Sequence, residues 1–178
     1  MKNYVFVVLA VLLLTFSAVF AQETETVQEI NWEDIAPSLE ESGLEGEFSA
    51  VGDFGVAMWV PAQLHEVELT EEDVEKGYIS YLTTDDESVA VAIVCADGEG
   101  MTLEDYMTYL ANSEDISGVE YGLVNGIEAV SYDYEGNMNV AFMTDAGYLV
   151  EFTFGPMSDE GFATVASIMA ASIQTIEE

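Results

Sequence analysis

The chain has 178 residues, enough for one domain with a real core, and its 50% hydrophobic content argues against disorder. Against 35 Asp and Glu stand two Lys, one His and no Arg, a formal net charge of −33. Nucleic acid is excluded as a partner because binding it requires Lys or Arg to neutralise phosphate, and docking on an anionic membrane surface is disfavoured for the same reason.

Residues 1–21 read as a secretory signal peptide. Lys2 and the amino terminus give a thin positive region, Val5–Leu14 is continuously apolar, and Ser17-Ala18-Val19-Phe20-Ala21 offers cleavage after Ala21 with Val19 at the −3 position. Kept uncleaved, Tyr4–Ala21 approaches the length that spans a bilayer and would act as an anchor. No cysteine closes the apolar run, so a lipid-modified N-terminus has no support. Cleavage is the expectation, giving a secreted, extracytoplasmic protein without stable membrane insertion. All 35 acidic residues lie beyond Ala21, where Lys76 is the single basic side chain. Such a surface repels polyanions and attracts cations or basic partners.

Residues 22–46 read as an acidic tether with a short helix. Gln22–Ile30 is polar and without a helical stripe, and Asn31–Glu41 sets Trp32, Ile35 and Leu39 at near-helical spacing with Pro37 in the first turns. Residues 47–178 read as a single domain. Phe48–Val51 and Phe54–Val60 are strands around Gly52-Asp53, the second ended by Pro61. A polar connection follows to Gly77, with a capping pattern at Thr70-Glu71-Glu72-Asp73. Tyr78–Thr83 and Val89–Ala96 form the next strand pair, the second apolar on both faces as a doubly covered central strand would be. It holds Cys95, the single cysteine, which excludes an intramolecular disulfide and reads as a buried, inert thiol. Thr102–Asn112 is a helix with Leu103, Tyr106, Met107 and Leu110 on one stripe.

Val119–Phe154 reads as a four-stranded meander. Asn125-Gly126 suits a two-residue hairpin, while Glu135-Gly136-Asn137 and Asp145-Ala146-Gly147 read as three-residue loops. Tight closure of each loop sets Val119 opposite Tyr132, Tyr121 opposite Val130, Tyr132 opposite Val140, Val130 opposite Phe142, and Val140 opposite Phe152. One face then collects Tyr121, Val130, Tyr132, Tyr134, Val140, Phe142, Val150, Phe152 and Phe154. Ser158 is the expected cap of a helix running to about Thr175, whose stripe of Phe162, Val165, Ala166, Met169, Ile173 and Ile176 covers that face. The fold class is α+β, an antiparallel sheet with helices packed on its faces.

This order of elements resembles the PsbP-like α/β/α sandwich. The matching features are the Phe48–Pro61 strand pair, the helix at Thr102–Asn112, Asn125-Gly126-Ile127, Gly147-Tyr148 leading into Val150–Phe154, and the closing helix with Ile168 and Ile173. The resemblance covers Glu47 to Glu178. It implies the sandwich fold and a tendency to act as a binding or assembly module. That fold serves an extrinsic photosystem II subunit, a Ran-binding import factor and small secreted bacterial proteins, so it carries no function by itself.

Few residues carry chemistry. His65, the one histidine, sits in a polar connection without an adjacent nucleophile motif, and one His with one Cys does not make a zinc site. Asp97-Gly98-Glu99-Gly100 lacks the Lys of a phosphate loop. The expected register lines up Asp133, Asn139 and Glu151 on the less apolar face, where three oxygen-bearing side chains on strands about 4.8 Å apart would converge on Ca²⁺. Asp85-Asp86-Glu87 and Asp97/Glu99 would serve equally well. Trp32, Trp59 and the tyrosines fall to core packing before carbohydrate or peptide binding. The expectation is a non-catalytic binding or assembly module for an unknown protein or a cationic ligand. The alternatives are a carboxylate-dependent hydrolase and a structural subunit of a cell-surface assembly.

Overall fold

The structure, a computed structural model, describes residues 27–176; the expected leader over 1–21 lies outside the described residues. In chain order the elements are β1 (Gln28–Ile30), α1 (Trp32–Ser42), β2 (Gly46–Ala50), β3 (Val56–Pro61), β4 (His65–Glu66), α2 (Glu71–Glu75), β5 (Tyr78–Thr83) and β6 (Ala90–Asp97). They continue with α3 (Leu103–Ala111), β7 (Ile116–Val124), β8 (Ile127–Tyr134), β9 (Asn137–Met143), β10 (Tyr148–Gly155), α4 (Glu160–Ala171) and β11 (Gln174–Thr175). A large sheet has the order β1-β7-β8-β9-β10-β6-β5-β4, antiparallel except where β1 runs parallel to β7, and a small sheet has the order β11-β3-β2.

The first and last hairpins of the meander follow the expected register. Asn125 and Gly126 hold φ of 48° and 79°, and Tyr121 pairs with Val130. Across the Asp145–Gly147 turn, Phe142 pairs with Val150 and Val140 with Phe152. The middle hairpin does not. Glu135 and Gly136 both take positive φ, 51° and 79°, and close a two-residue turn, so Asn137 belongs to β9 and pairs with Tyr134. Tyr132 therefore pairs with Asn139, and Val130 with Ala141. One residue of slip exchanges the faces of a strand. The expected single aromatic face is thus two faces.

Val140, Phe142, Val150, Phe152 and Phe154 lie in the main core with Val91 and Ile93 of β6 and Phe162, Ala166 and Met169 of α4. Val130 and Tyr132 lie in a second core with Leu103 and Leu110, joined by Tyr106, Met107, Val119 and Tyr121. The slip thereby supplies the α3 stripe with an apolar partner. A bulge adds a second departure. Gly118, at φ 62°, and Val119 stand between the pairs Ser117–Asp133 and Glu120–Ser131, so Val119 does not pair with Tyr132.

Three element boundaries also differ. Gln28–Ile30, expected within a tether, is a parallel edge strand, and α1 behind it buries Ile35 and Leu39 in the main core, so the packed unit begins well before residue 47. Asp159 rather than Ser158 caps α4, accepting from the Phe162 N–H at 2.8 Å. The helix stops at Ala171, and Gln174–Thr175 pairs with β3 instead of extending it. Ser172 makes that junction: its hydroxyl accepts the Trp59 N–H at 2.8 Å and donates to the Met169 carbonyl at 2.6 Å. β6 is buried on its main-core side and only half-covered on the other, because α3 lies over β7 and β8.

Asn125 does more than turn the chain. Its backbone N–H donates to the Ile30 carbonyl at 2.8 Å, and its side-chain oxygen accepts from the Trp32 N–H at the start of α1. Its side-chain nitrogen donates to the Ala171 and Ile173 carbonyls at 2.9 and 2.8 Å, where α4 ends. One side chain thus satisfies orphan groups at two helix termini. Asn125→Gly preserves the turn conformation and the backbone bond to Ile30 while removing the three side-chain bonds. It is expected to cost about 1–3 kcal/mol, measured by denaturant unfolding; a loss of a few tenths or less would show that the clasp is dispensable.

Candidate functional site

The meander places the β7–β8 and β9–β10 turns at the same end of the large sheet. There the β8–β9 ladder runs from Tyr134–Asn137 as far as Val130–Ala141, beyond which the strands part. A groove of about 600 Å³ opens in this fork. Ile127 and Glu128 line it from β8, Phe142 and Met143 from β9, Thr144 and Asp145 from the following turn, and Tyr148 from the start of β10. The β2–β3 loop adds Asp53 and Phe54. The groove therefore depends on the register: it exists where β8 has no further partner in β9.

Its floor is apolar and its rim acidic. Val56, Leu103 and Phe142 are buried at the base, while Phe54, Ile127 and Met143 are half-buried and Tyr148 is exposed. Phe54 and Tyr148 meet edge to face at 6.4 Å between ring centroids, a favoured aromatic geometry. Asp53, Glu128 and Asp145 are exposed around this floor, each from a different turn or strand end. Among the described residues the ion pairs are His65 with Asp85 and Lys76 with Glu72, both elsewhere. Among the described residues no cation pairs with the rim charges.

None of these residues was singled out from the sequence as a site. A usable signal was present: each contributing segment sets an acid beside an apolar residue, as in Asp53-Phe54, Ile127-Glu128 and Asp145-Ala146-Gly147-Tyr148. Recognising it requires knowing that distant turns share one end of the sheet.

The expected cation row is dispersed by the register. Asp133 pairs with Met138 and sits on the opposite face from Asn139 and Glu151. Asn139 is buried, and its side-chain oxygen accepts from the Thr153 hydroxyl at 2.8 Å. Glu151 accepts from the Tyr106 and Tyr132 hydroxyls at 2.6 and 2.7 Å, tying α3 to the sheet. Burial, followed by Glu151's negative charge, raises the Tyr106 hydroxyl pKa, and burial foremost raises that of Tyr132. Among the described residues, no three or more His, Cys, Asp or Glu are grouped to hold a metal ion. His65 is exposed on β4, 3.5 Å from Asp85. Cys95 is half-buried against the main core, and burial pushes its thiol up.

A second acidic feature lies at the bulge. Glu120 is half-buried, and its carboxyl is held above the usual range by burial and then by the charge of Asp133. A carboxyl with a raised folded pKa favours the fold when protonated and opposes it when charged. Glu120→Gln is therefore expected to raise the thermal midpoint at pH 7, with the gain fading as the pH falls through the raised folded pKa and gone below about 4.3, the ordinary Glu value. Calorimetry across that range checks it, and an unchanged midpoint at pH 7 would refute the assignment.

No family model and no curated protein sequence matches the chain. Among solved structures, it is similar to the solution structure of cyanobacterial PsbP (CyanoP) from Synechocystis sp. PCC 6803. The TM-score is 0.51 at 11% identity, over 74% of this chain and 93% of that one. At that identity the likeness speaks for architecture alone. The chain has a PsbP-like α+β fold.

Proposed function

We propose that the protein is a secreted, non-catalytic binding or assembly module that engages a cationic or basic partner through its acidic surface. The observation that carries this is the apolar groove rimmed by Asp53, Glu128 and Asp145, whose charges no basic residue among the described residues offsets. The 35 acids against two lysines over the whole chain give the same sign at long range, accelerating encounter with cations and rejecting polyanions.

Export is part of the proposal. The protein recovered outside the cytoplasm is expected to begin at Gln22, with residues 1–21 removed. N-terminal sequencing or intact mass tests this, and a mature chain that retains the leader would replace release by anchoring.

Association with a lysine-rich protein or peptide is expected to weaken roughly tenfold as salt rises from about 50 to about 300 mM, because the Debye length shortens over that range. Titration calorimetry at several ionic strengths measures it. A dissociation constant independent of salt, or no binding at low salt, would overturn the assignment.

A further inference from the structure

Resting on the basic-partner reading above, we infer that the fork between β8 and β9 is the docking site of an extended peptide in which Lys or Arg alternates with large apolar side chains. Charge by itself calls only for a cation, and any part of this surface could attract one. The groove is set apart by what lies inside the acidic rim. Phe54, Ile127, Met143 and Tyr148 converge there from separate segments and all keep some exposure above the buried base of Val56, Leu103 and Phe142. A hydrated metal ion or an oligolysine would leave that apolar surface wet. A partner carrying apolar and cationic groups side by side covers the floor and meets Asp53, Glu128 and Asp145 at once.

The occupant is a peptide rather than a small enclosed ligand because the site is an open trough with its acids spread over two turns and the start of β8. The β8–β9 ladder ends at Val130–Ala141, and strand residues beyond the end of a ladder are where an extended segment can add main-chain hydrogen bonds. An anionic lipid surface is the wrong partner, since the rim carries the same sign of charge. Aromatic side chains on the floor add attraction for an ammonium or guanidinium close to the ring faces.

Two fluorescent octapeptides of equal charge test this on the full mature chain, one alternating Lys with Leu and Phe, the other alternating Lys with Ser. At about 150 mM salt, anisotropy is expected to show the Leu/Phe peptide binding about tenfold or more tightly than the Ser peptide. Phe54→Ser with Tyr148→Ser is expected to abolish that preference and leave the Ser peptide's affinity unchanged. Asp53→Asn with Asp145→Asn, which leaves the apolar floor intact, is expected to weaken both peptides several-fold. Glu71→Gln with Glu75→Gln on the distant α2 serves as a charge-matched control and is expected to change the affinities less. Equal binding of the two peptides, or a preference that survives loss of Phe54 and Tyr148, overturns the groove assignment while leaving the broader acidic-surface reading standing. Failure of both peptides to bind even at low salt overturns both.

Discussion

Two consecutive residues at positive φ, Glu135 and Gly136, turn β8 into β9. Because side chains alternate along a strand, the number of residues in that turn decides which side of the sheet every later residue occupies. With two, Val130 and Tyr132 face α3, while Val140 and Phe142 join Phe152 and Phe154 beneath α4 and the small sheet. With three, α3 would meet a polar face and its Leu103–Leu110 stripe would lack a partner. The sandwich, with an apolar layer on each side of the sheet, rests on this turn.

The same turn shapes the surface. Tyr132 comes to lie beside Glu151 and under Tyr106, where the carboxylate takes both hydroxyl hydrogens and fastens the helix. Asp133 goes to the other side, with Met138 as its partner in the ladder. At the far end, β8 and β9 separate past Val130 and Ala141, and the groove forms between them. Core, helix anchor and groove are therefore geometrically coupled. Asn125 couples the adjacent hairpin to the rest, holding β1, the start of α1 and the end of α4 at one point.

Charge acts on a different scale. Few of the carboxylates take part in packing, and most stand in turns or on exposed helix faces. Their effect on folding is repulsive and diffuse, offset by a core of fully buried aromatic and aliphatic side chains such as Phe152, Phe154, Met58 and Met169. Local hydrogen bonding tempers the repulsion where helices begin. Thr70 with Asp73 and Thr102 with Asp105 form reciprocal caps that hold each Asp below the usual carboxylate range. At the groove the negative surface surrounds converging apolar side chains, which gives the charge a shape to act with.

Much of the fold was legible in the residues. The Thr-initiated helices, the Asn125-Gly126 hairpin, the Asp145–Gly147 hairpin and the order of the longer strands and helices all follow from local signals: caps, turn chemistry and alternation. The α+β class and the likeness to the PsbP-like sandwich follow from that order. The middle turn was not legible, because Glu seldom adopts positive φ, and Glu-Gly-Asn fits a three-residue loop equally well by local preference. The choice was made by α3, distant in sequence, which needed an apolar surface to cover. For the same reason the expected row of Asp133, Asn139 and Glu151 does not assemble, and the groove, built from segments as far apart as Asp53 and Tyr148, had no linear signature. Composition and short-range patterning determine which elements form and the sign of the surface charge. Which side chains come together was settled only by long-range packing, since parity errors cost nothing within a hairpin and become expensive only when another layer must fit against it.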